Sequence, residues 1–370
     1  MSTRGWLLTV AAGAAIAFCG SSVPATAQQT PSFSFGAAGD FDFGKAFKAT
    51  AAAVKVENLD FLIALGDLAY AAREKEWCDY WKQTAKYNRL VLIAGNHDSG
   101  ENSAGNINNY VKFCPFTLDS PVTGKYGKEY YFDYPAGAPL ARFILVVPGL
   151  RGPFLGIDTN YDRGHPGYNF TAAAIDDARA KGIEWIFVAM HKNYISMMEK
   201  ANEVSKDAGN TFMTMLLDKK VDFILQGHEH GYERSKQLTT VPKTCPVLAP
   251  NTFDAACVAD SDDTLLKGAG TIIHVLGTGG QEPRKLFPND AEARYFAKSD
   301  NTACGFGKFT VTPTSVSFEF RPSLGKLADS YTITKDSKSP TDTAATPAPS
   351  APISSSAGSP PAQPCPCWKG

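Results

Sequence analysis

Five short stretches rich in β-branched and aromatic residues each run into an aspartate, asparagine or histidine, and this repeated pairing constrains the fold more than any other feature of the chain. Phe33 to Phe35 leads to Gly39-Asp40, Phe61 to Leu65 to Gly66-Asp67, and Leu90 to Ala94 to Gly95-Asn96-His97-Asp98. Glu184 to Met190 leads to His191, and Val221 to Leu225 to Gly227-His228-Glu229-His230. A strand that ends in such a group aims it at the rim of a sheet, where open α/β folds place their ligands. Five rims on one chain predict one shared site. Hard oxygen donors plus several imidazoles suit two adjacent first-row metal ions better than Ca²⁺ or a thiolate zinc site.

Helical patterns alternate with these strands over Gly44 to Lys55, Glu76 to Tyr87, Thr171 to Lys181 and Ala208 to Lys219. The later apolar segments Thr271 to Leu276, Gly307 to Thr312 and Ser315 to Phe320 have no helices between them and read as a second sheet. The expectation is an α/β fold in which a two-sheet β-sandwich is flanked by helices.

Both ends subtract from the domain. Residues 1–27 carry Arg4, an apolar run from Trp6 to Phe18 and the small-residue site Ala25-Thr26-Ala27, the pattern of a cleaved secretory signal. The run is too short to span a bilayer, so no transmembrane segment is expected. Cys19 invites a lipoprotein reading, but Phe18 stands where such a site wants a small residue. Residues 335–370 are dominated by Pro, Ser, Thr and Ala and read as a disordered tail. One domain over 28–334 remains. The whole chain carries 36 basic against 37 acidic residues, a net charge of −1, which argues against nucleic-acid binding by bulk charge.

Export fits the cysteines. Of the eight, Cys78 with Cys114 and Cys245 with Cys257 are the natural local pairs in an oxidising compartment, and Cys304 is left over. Cys365 and Cys367 flank one proline; without neighbouring histidines they lack the ligands of a zinc knuckle.

The first rim has a competing reading. Gly39 to Ala46 matches the phosphate-cradling loop G-x-x-x-x-G-K-[ST] at all but the last position. The missing hydroxyl is the Mg²⁺ ligand, and Asp40 and Asp42 would repel the phosphates such a loop cradles. Asp40 is better explained as a metal ligand.

Taken in order, the motifs GD, GD, GNHD, H and GHxH resemble those of the calcineurin-like metallophosphoesterases. Gly66-Asp67-Leu68-Ala69-Tyr70 and Gly227-His228-Glu229-His230-Gly231-Tyr232-Glu233-Arg234 look like the purple acid phosphatase branch. The resemblance runs from about Phe33 to about Phe320. It implies a four-layer α/β/β/α fold and a small phosphate-ester substrate, attacked by a hydroxide held between two metal ions. It also implies that Asp40, Tyr70 and His230 hold one ion and Asn96, His191 and His228 the other, with Asp67 shared. A phenolate favours a trivalent ion, and an amide with two imidazoles a divalent one; Fe(III) with Fe(II), Zn(II) or Mn(II) is the implied pair.

His97 is not needed as a ligand if Asn96 is one, because adjacent side chains do not normally face the same point. It is the candidate for contacting the phosphate or protonating the leaving oxygen, with Asp98 orienting it. Purple acid phosphatases usually follow the fourth-motif histidine with a further histidine or a proline-containing turn, whereas this chain reads Lys192-Asn193-Tyr194. Any of these three would serve as a substrate contact. Elsewhere, His165 reads as loop surface or site border, His274 as a core histidine, Thr171 as a helix cap and Asn169 as a glycosylation acceptor. Gly277-Thr278-Gly279-Gly280 brings backbone close to the substrate or makes a strand-end turn, and Arg234 pairs with a carboxylate. The leading function is that of an exported phosphomonoesterase of the acid phosphatase kind. A phosphodiesterase or phospholipase on the same metals is the second reading, and a non-catalytic metal- or phosphate-binding protein the third.

Overall fold

The computed structural model describes residues 1–2, 31–102, 105–199, 203–262 and 264–335; most of the expected signal segment and tail lies outside them. Its described residues from Pro31 to Lys335 belong to one compact unit. Its elements run β1 (Phe33–Ala38), α1 (Lys45–Val56), β2 (Phe61–Ala64), α2 (Glu74–Asp79), β3 (Leu90–Leu92), α3 (Ile107–Phe113), β4 (Thr123–Lys125), β5 (Glu129–Tyr134) and β6 (Ala141–Leu145). They continue with α4 (Pro166–Ala180), β7 (Trp185–Met190), α5 (Glu203–Asp218), β8 (Phe223–Gln226), β9 (Tyr232–Ser235), β10 (Gln237–Leu238), β11 (Val258–Asp260), β12 (Leu265–Leu266) and β13 (Ile272–Leu276). Strands β14 (Phe296–Asp300), β15 (Cys304–Val311), β16 (Ser315–Leu324) and β17 (Ser330–Thr334) complete the order.

Two large sheets result. One runs β12-β17-β16-β15-β1-β2-β3, the other β14-β9-β13-β8-β7-β6-β5-β4. In the first, β1, β2 and β3 are parallel; in the second, β6, β7, β8 and β13 are. Buried parallel strands read as unbroken apolar runs, and every residue of β7, Trp185-Ile186-Phe187-Val188-Ala189-Met190, is buried. The inner faces meet through phenylalanines. Phe35 of the first sheet lies edge-on to Phe143 and Phe187 of the second at 4.9 and 5.1 Å between ring centres, within the range of favourable aromatic pairs. A second apolar cluster joins the outer face of the second sheet to helical residues Ala174, Ile175, Ala178, Phe212 and Leu216.

The late strands do not make a sheet of their own. β13 lies between β8 and β9, while β15 pairs antiparallel with β1, and β16 and β17 continue outward from it. The reason is hydrogen bonding: β1 and β8 each have a second edge whose backbone groups need partners, and the late strands supply them. Helix boundaries also moved. α4 begins at Pro166, a residue suited to the first helical turn, so Thr171 is not a cap; its hydroxyl donates to the Gly167 carbonyl at 2.8 Å. The expected helix Glu76 to Tyr87 is α2 followed by a wider π turn over Tyr80–Thr84.

Both local disulfides are formed, Cys78 to Cys114 and Cys245 to Cys257. The first ties α2 to the residue that ends α3, and the Asn106 backbone N–H reinforces the tie by donating to Glu74 at 2.9 Å. These two helices follow the loops that carry Tyr70 and His97. Removing a link across 36 residues costs about 4 kcal/mol in the loop-entropy treatment. A Cys78→Ser/Cys114→Ser double variant is therefore expected to show that loss in denaturant melts; an unchanged midpoint would mean that side-chain packing alone fixes the two helices.

Candidate metal centre

The carboxyl-terminal ends of β1, β2, β3, β7 and β8 point to one place, and the loops beyond them turn sharply. Asp40, Asp67, Tyr70 and His228 all have φ in the left-handed region, at 60°, 53°, 54° and 69°. Non-glycine residues persist there only where the surrounding structure over-determines them. The over-determination is visible in the backbone: Asp40 N–H donates to Gly66 O at 3.0 Å, Phe41 N–H to Asp67 O at 3.0 Å, and Gly227 N–H to His191 O at 3.0 Å.

The side chains converge in two adjacent groups. In the first, the Tyr70 hydroxyl lies 2.8 Å from Asp40 Oδ1 and 2.9 Å from His230 Nε2, and His230 Nε2 lies 3.5 Å from Asp40 Oδ1. In the second, His191 Nε2 lies 3.0 Å from Asn96 Oδ1, 3.2 Å from His228 Nδ1 and 3.3 Å from Asp67 Oδ1. Asp67, His191 and His228 each offer one ligand atom, all within 4.8 Å of one another. The groups touch, since Asp40 Oδ2 accepts the His228 backbone N–H at 2.7 Å.

Imidazole orientation tests whether this arrangement fits metal ions. His191 Nδ1 faces the Leu65 carbonyl at 2.7 Å and His230 Nδ1 the Glu282 carbonyl at 2.8 Å. A carbonyl only accepts, so each Nδ1 carries a hydrogen and each Nε2 is the atom that faces the carboxylates, where a bound cation would take the place of a proton. Carboxylate, amide, phenol and imidazole atoms thus crowd two adjacent points, and a cation at each would satisfy them together. The donor set fits.

The electrostatics carry the same message. Burial pushes the Asp40 carboxyl up to about 6, with the nearby Asp67 charge adding to the push and His191 opposing it. Burial also acts to raise Asp67, but the charge and hydrogen bond of His191, aided by His97 and His228, hold that carboxyl well below the ordinary range. Burial works against a charged His191, yet Asp67 and Asp40 lift it to about 9. Tyr70 is raised well above the usual phenol range by burial and then by Asp40. Two buried carboxylates demand positive charge, and ions placed between them would supply it.

The loops approach so closely that glycine is required. A Cβ on Gly66 would stand 2.6 Å from Gly95 N and 2.7 Å from His191 Nδ1, and one on Gly227 2.9 Å from Asp40 Oδ2. The strand-end segment Gly277–Gly280 packs onto the same loops, with Gly279 N–H donating to Gly39 O at 2.8 Å.

His97 stands at the opening. Its side chain is 21% exposed, its ring lies against that of Tyr70 at 4.3 Å, its Nε2 is 3.9 Å from Asp67 Oδ2, and its backbone N–H donates to Asp67 Oδ1 at 2.9 Å. Asp98 behaves differently from expectation. Its carboxylate accepts the backbone N–H groups of Leu68 at 3.0 Å and Gly95 at 2.9 Å, so it pins together the loops of Asp67 and Asn96 rather than holding the His97 ring. Burial, with Asp67 adding to it, pushes its carboxyl up to about 7.

Lys192, Asn193 and Tyr194 are all buried. Lys192 pairs with Glu101 at 3.2 Å, and the Tyr194 hydroxyl reaches Asn210 and the Leu248 carbonyl; these side chains brace the loop after β7. His165 joins Asp158 and Asn160 in its own loop, while His274 is buried with its Nε2 2.7 Å from the Tyr331 hydroxyl. Arg234 forms a two-pronged pair with Asp329. The sequence reading missed Arg284, whose guanidinium lies 3.2 Å from His230 Nε2 and 2.8 Å from the His228 carbonyl. Its only signal was position, four residues beyond a glycine-rich turn already suspected of approaching the site.

Comparison with known proteins agrees with this geometry. The family model for calcineurin-like phosphoesterases matches residues 36–232, just over half of the chain. Purple acid phosphatase 1 of Ipomoea batatas is 24% identical over 232 residues, covering 59% of this chain and 43% of the relative. The probable inactive purple acid phosphatase 1 of Arabidopsis thaliana is 26% identical over 294 residues, covering 76% and 44%. The chain thus spans less than half the length of these relatives. The structure of purple acid phosphatase PPD1 from yellow lupin (Lupinus luteus) seeds superposes with a TM-score of 0.58 at 17% identity, covering 86% of this chain and 58% of that one, a likeness of fold. The chain belongs to the calcineurin-like phosphoesterase family, in the branch that resembles the purple acid phosphatases.

Proposed function

We propose that this protein is an exported phosphomonoesterase of the acid phosphatase kind, working with two metal ions. The observation that carries the reading is the meeting of two donor groups at one rim, one of Asp40, Tyr70 and His230, the other of Asn96, His191, His228 and Asp67, with Asp67 assigned as the ligand shared by both ions. The phenol of Tyr70 suits Fe(III) and the imidazole-amide group suits Fe(II), Zn(II) or Mn(II). When bound, such a pair supplies Lewis acidity toward phosphoryl oxygens and activates water. The chain's own residues then divide the work. Carbonyl-anchored His191 and His230 keep their lone pairs aimed inward, and Asp98 holds the Asp67 and Asn96 loops in register. His97, the accessible imidazole at the opening, holds the proton that goes to the leaving oxygen. Two disulfides support export, and among the described residues no helix is long and apolar enough to cross a membrane.

The deciding experiment is hydrolysis of an aryl phosphate monoester against the matching diester by the chain loaded with iron plus zinc or manganese. Monoester preference supports the proposal; diester preference would replace it with a phosphodiesterase, and no turnover of either would leave a binding protein. The His97 role has its own test. General acid catalysis contributes about 10²-fold or more, so His97→Ala is expected to lose that much on an alkyl phosphate and far less on a nitrophenyl phosphate, whose leaving group needs no proton. Equal losses on both substrates would remove His97 from this role.

A further inference from the structure

We propose that Arg284 is the phosphate-binding side chain of this centre, and that it biases the site toward dianionic monoesters; the inference rests on the phosphoesterase reading above. The segment after β13 is laced to the site by backbone hydrogen bonds, Gly279 to Gly39 O, Gln281 to Asp40 O and Arg284 to His230 O at 2.8, 2.8 and 2.9 Å. This delivers the guanidinium to the edge of the Asp40, Tyr70 and His230 group with its side chain 13% exposed. One nitrogen, Nη1, is anchored: it donates to the His228 carbonyl at 2.8 Å and lies 3.3 Å from Glu229 Oε2, which is fully buried. The other, Nη2, lies 3.2 Å from His230 Nε2.

That second contact cannot coexist with a metal ion on the same lone pair. His230 Nδ1 is committed to the Glu282 carbonyl, so Nε2 has one lone pair to give, either to the Arg284 N–H or to an ion. With that lone pair given to an ion, Nη2 would be released while Nη1 stays fixed on His228 and Glu229. The released N–H then sits beside the ion with no acceptor from His230. Two cations side by side repel unless an anion lies against both, and a phosphoryl oxygen is such an anion. The planar fork suits the task, since one arm anchors while the other binds. The added positive charge favours a monoester carrying two negative charges over a diester carrying one.

The test uses the full metal-loaded chain with Arg284→Gln and Arg284→Lys. Metal content, inorganic phosphate affinity by calorimetry, and KM and kcat on the monoester and diester are measured. A hydrogen bond to a charged group is worth roughly ten- to a hundredfold in affinity. Arg284→Gln is therefore expected to weaken phosphate binding and raise the monoester KM by that factor, to raise the diester KM less, and to leave metal content unchanged. Arg284→Lys keeps the charge beside Glu229 but loses the fork, and is expected to fall between. Unchanged phosphate affinity at full metal content overturns the proposal; so does a loss of affinity that excess metal restores, since Arg284 would then serve the metal site alone. If the wild-type chain turns over neither ester, the phosphomonoesterase reading fails, while phosphate binding by the loaded variants still decides the role of Arg284.

Discussion

Replacing Asp67 with Asn is expected to abolish turnover, by about 10³-fold or more, while leaving the metal-free fold intact. The two outcomes separate because the substitution is isosteric. Asp67 Oδ1 accepts the His97 backbone N–H and faces His191 Nε2 at 3.3 Å; an asparagine with its amide oxygen in that place remains an acceptor toward both. What it loses is the negative charge that a shared ion would need. Charge stabilisation by bound metal is worth several kcal/mol at the transition state, and about 4 kcal/mol corresponds to 10³ in rate. The thermal signature should follow. An ion present at a thousand times its dissociation constant stabilises the fold by about 4 kcal/mol, roughly 8 °C in a domain of this size. A strong chelator should therefore lower the melting temperature of the wild type by that amount and barely move Asp67→Asn. If the variant keeps both its metal content and its chelator response, Asp67 is not the shared ligand.

The parts of this site that were legible in the sequence share a property: they sit directly at strand ends. Strand propensity and ligand chemistry are both local, so Asp40, Asp67, Asn96, His191 and His228 were readable where they stand, and the structure brings their side chains together. His230 was readable with His228 in the motif that follows the Val221–Leu225 run, whereas Tyr70, three residues beyond Asp67, was readable only through the resemblance. Long-range pairing was not legible. Nothing within Ile272–Leu276 or Cys304–Val311 says that the first lies against β8 and the second against β1, since sheet partners are chosen by open edges elsewhere. The same blindness hid Arg284 and the work of Asp98. A carboxylate next to a histidine suggests a pair, but the backbone N–H groups of Leu68 and Gly95 were buried and needed an acceptor, and a buried unpaired donor costs more than a loosely oriented imidazole.

Gly95→Ala should be strongly disruptive, and the reason is geometric rather than conformational. Unlike Gly66, Gly95 does not adopt a left-handed φ, so its backbone would tolerate a side chain. Space is what it lacks. An added Cβ would press into Asp67 Oδ1 and the Asp67 backbone nitrogen, with Asp67 Cγ 2.9 Å away. None of these is the end of a flexible chain. Relief requires the β2 and β3 loops to part, which breaks the Leu68 N–H to Asp98 and His97 N–H to Asp67 bonds that hold them. Overpacking alone costs about 1–3 kcal/mol, and each buried backbone donor left without its acceptor adds about 1–3 kcal/mol, so a loss of about 4 kcal/mol is expected. Metal binding should suffer more than the fold, because the displaced Asp67 carries ligand geometry that tolerates little movement. Gly137→Ala is the control, since a Cβ there meets nothing within 4 Å and should be neutral or stabilising by a few tenths of a kcal/mol. Equal denaturant midpoints and metal contents for the two variants would show that the loops are not packed as tightly as these distances require, and that the glycines preceding Asp67 and Asn96 are there for chain flexibility instead.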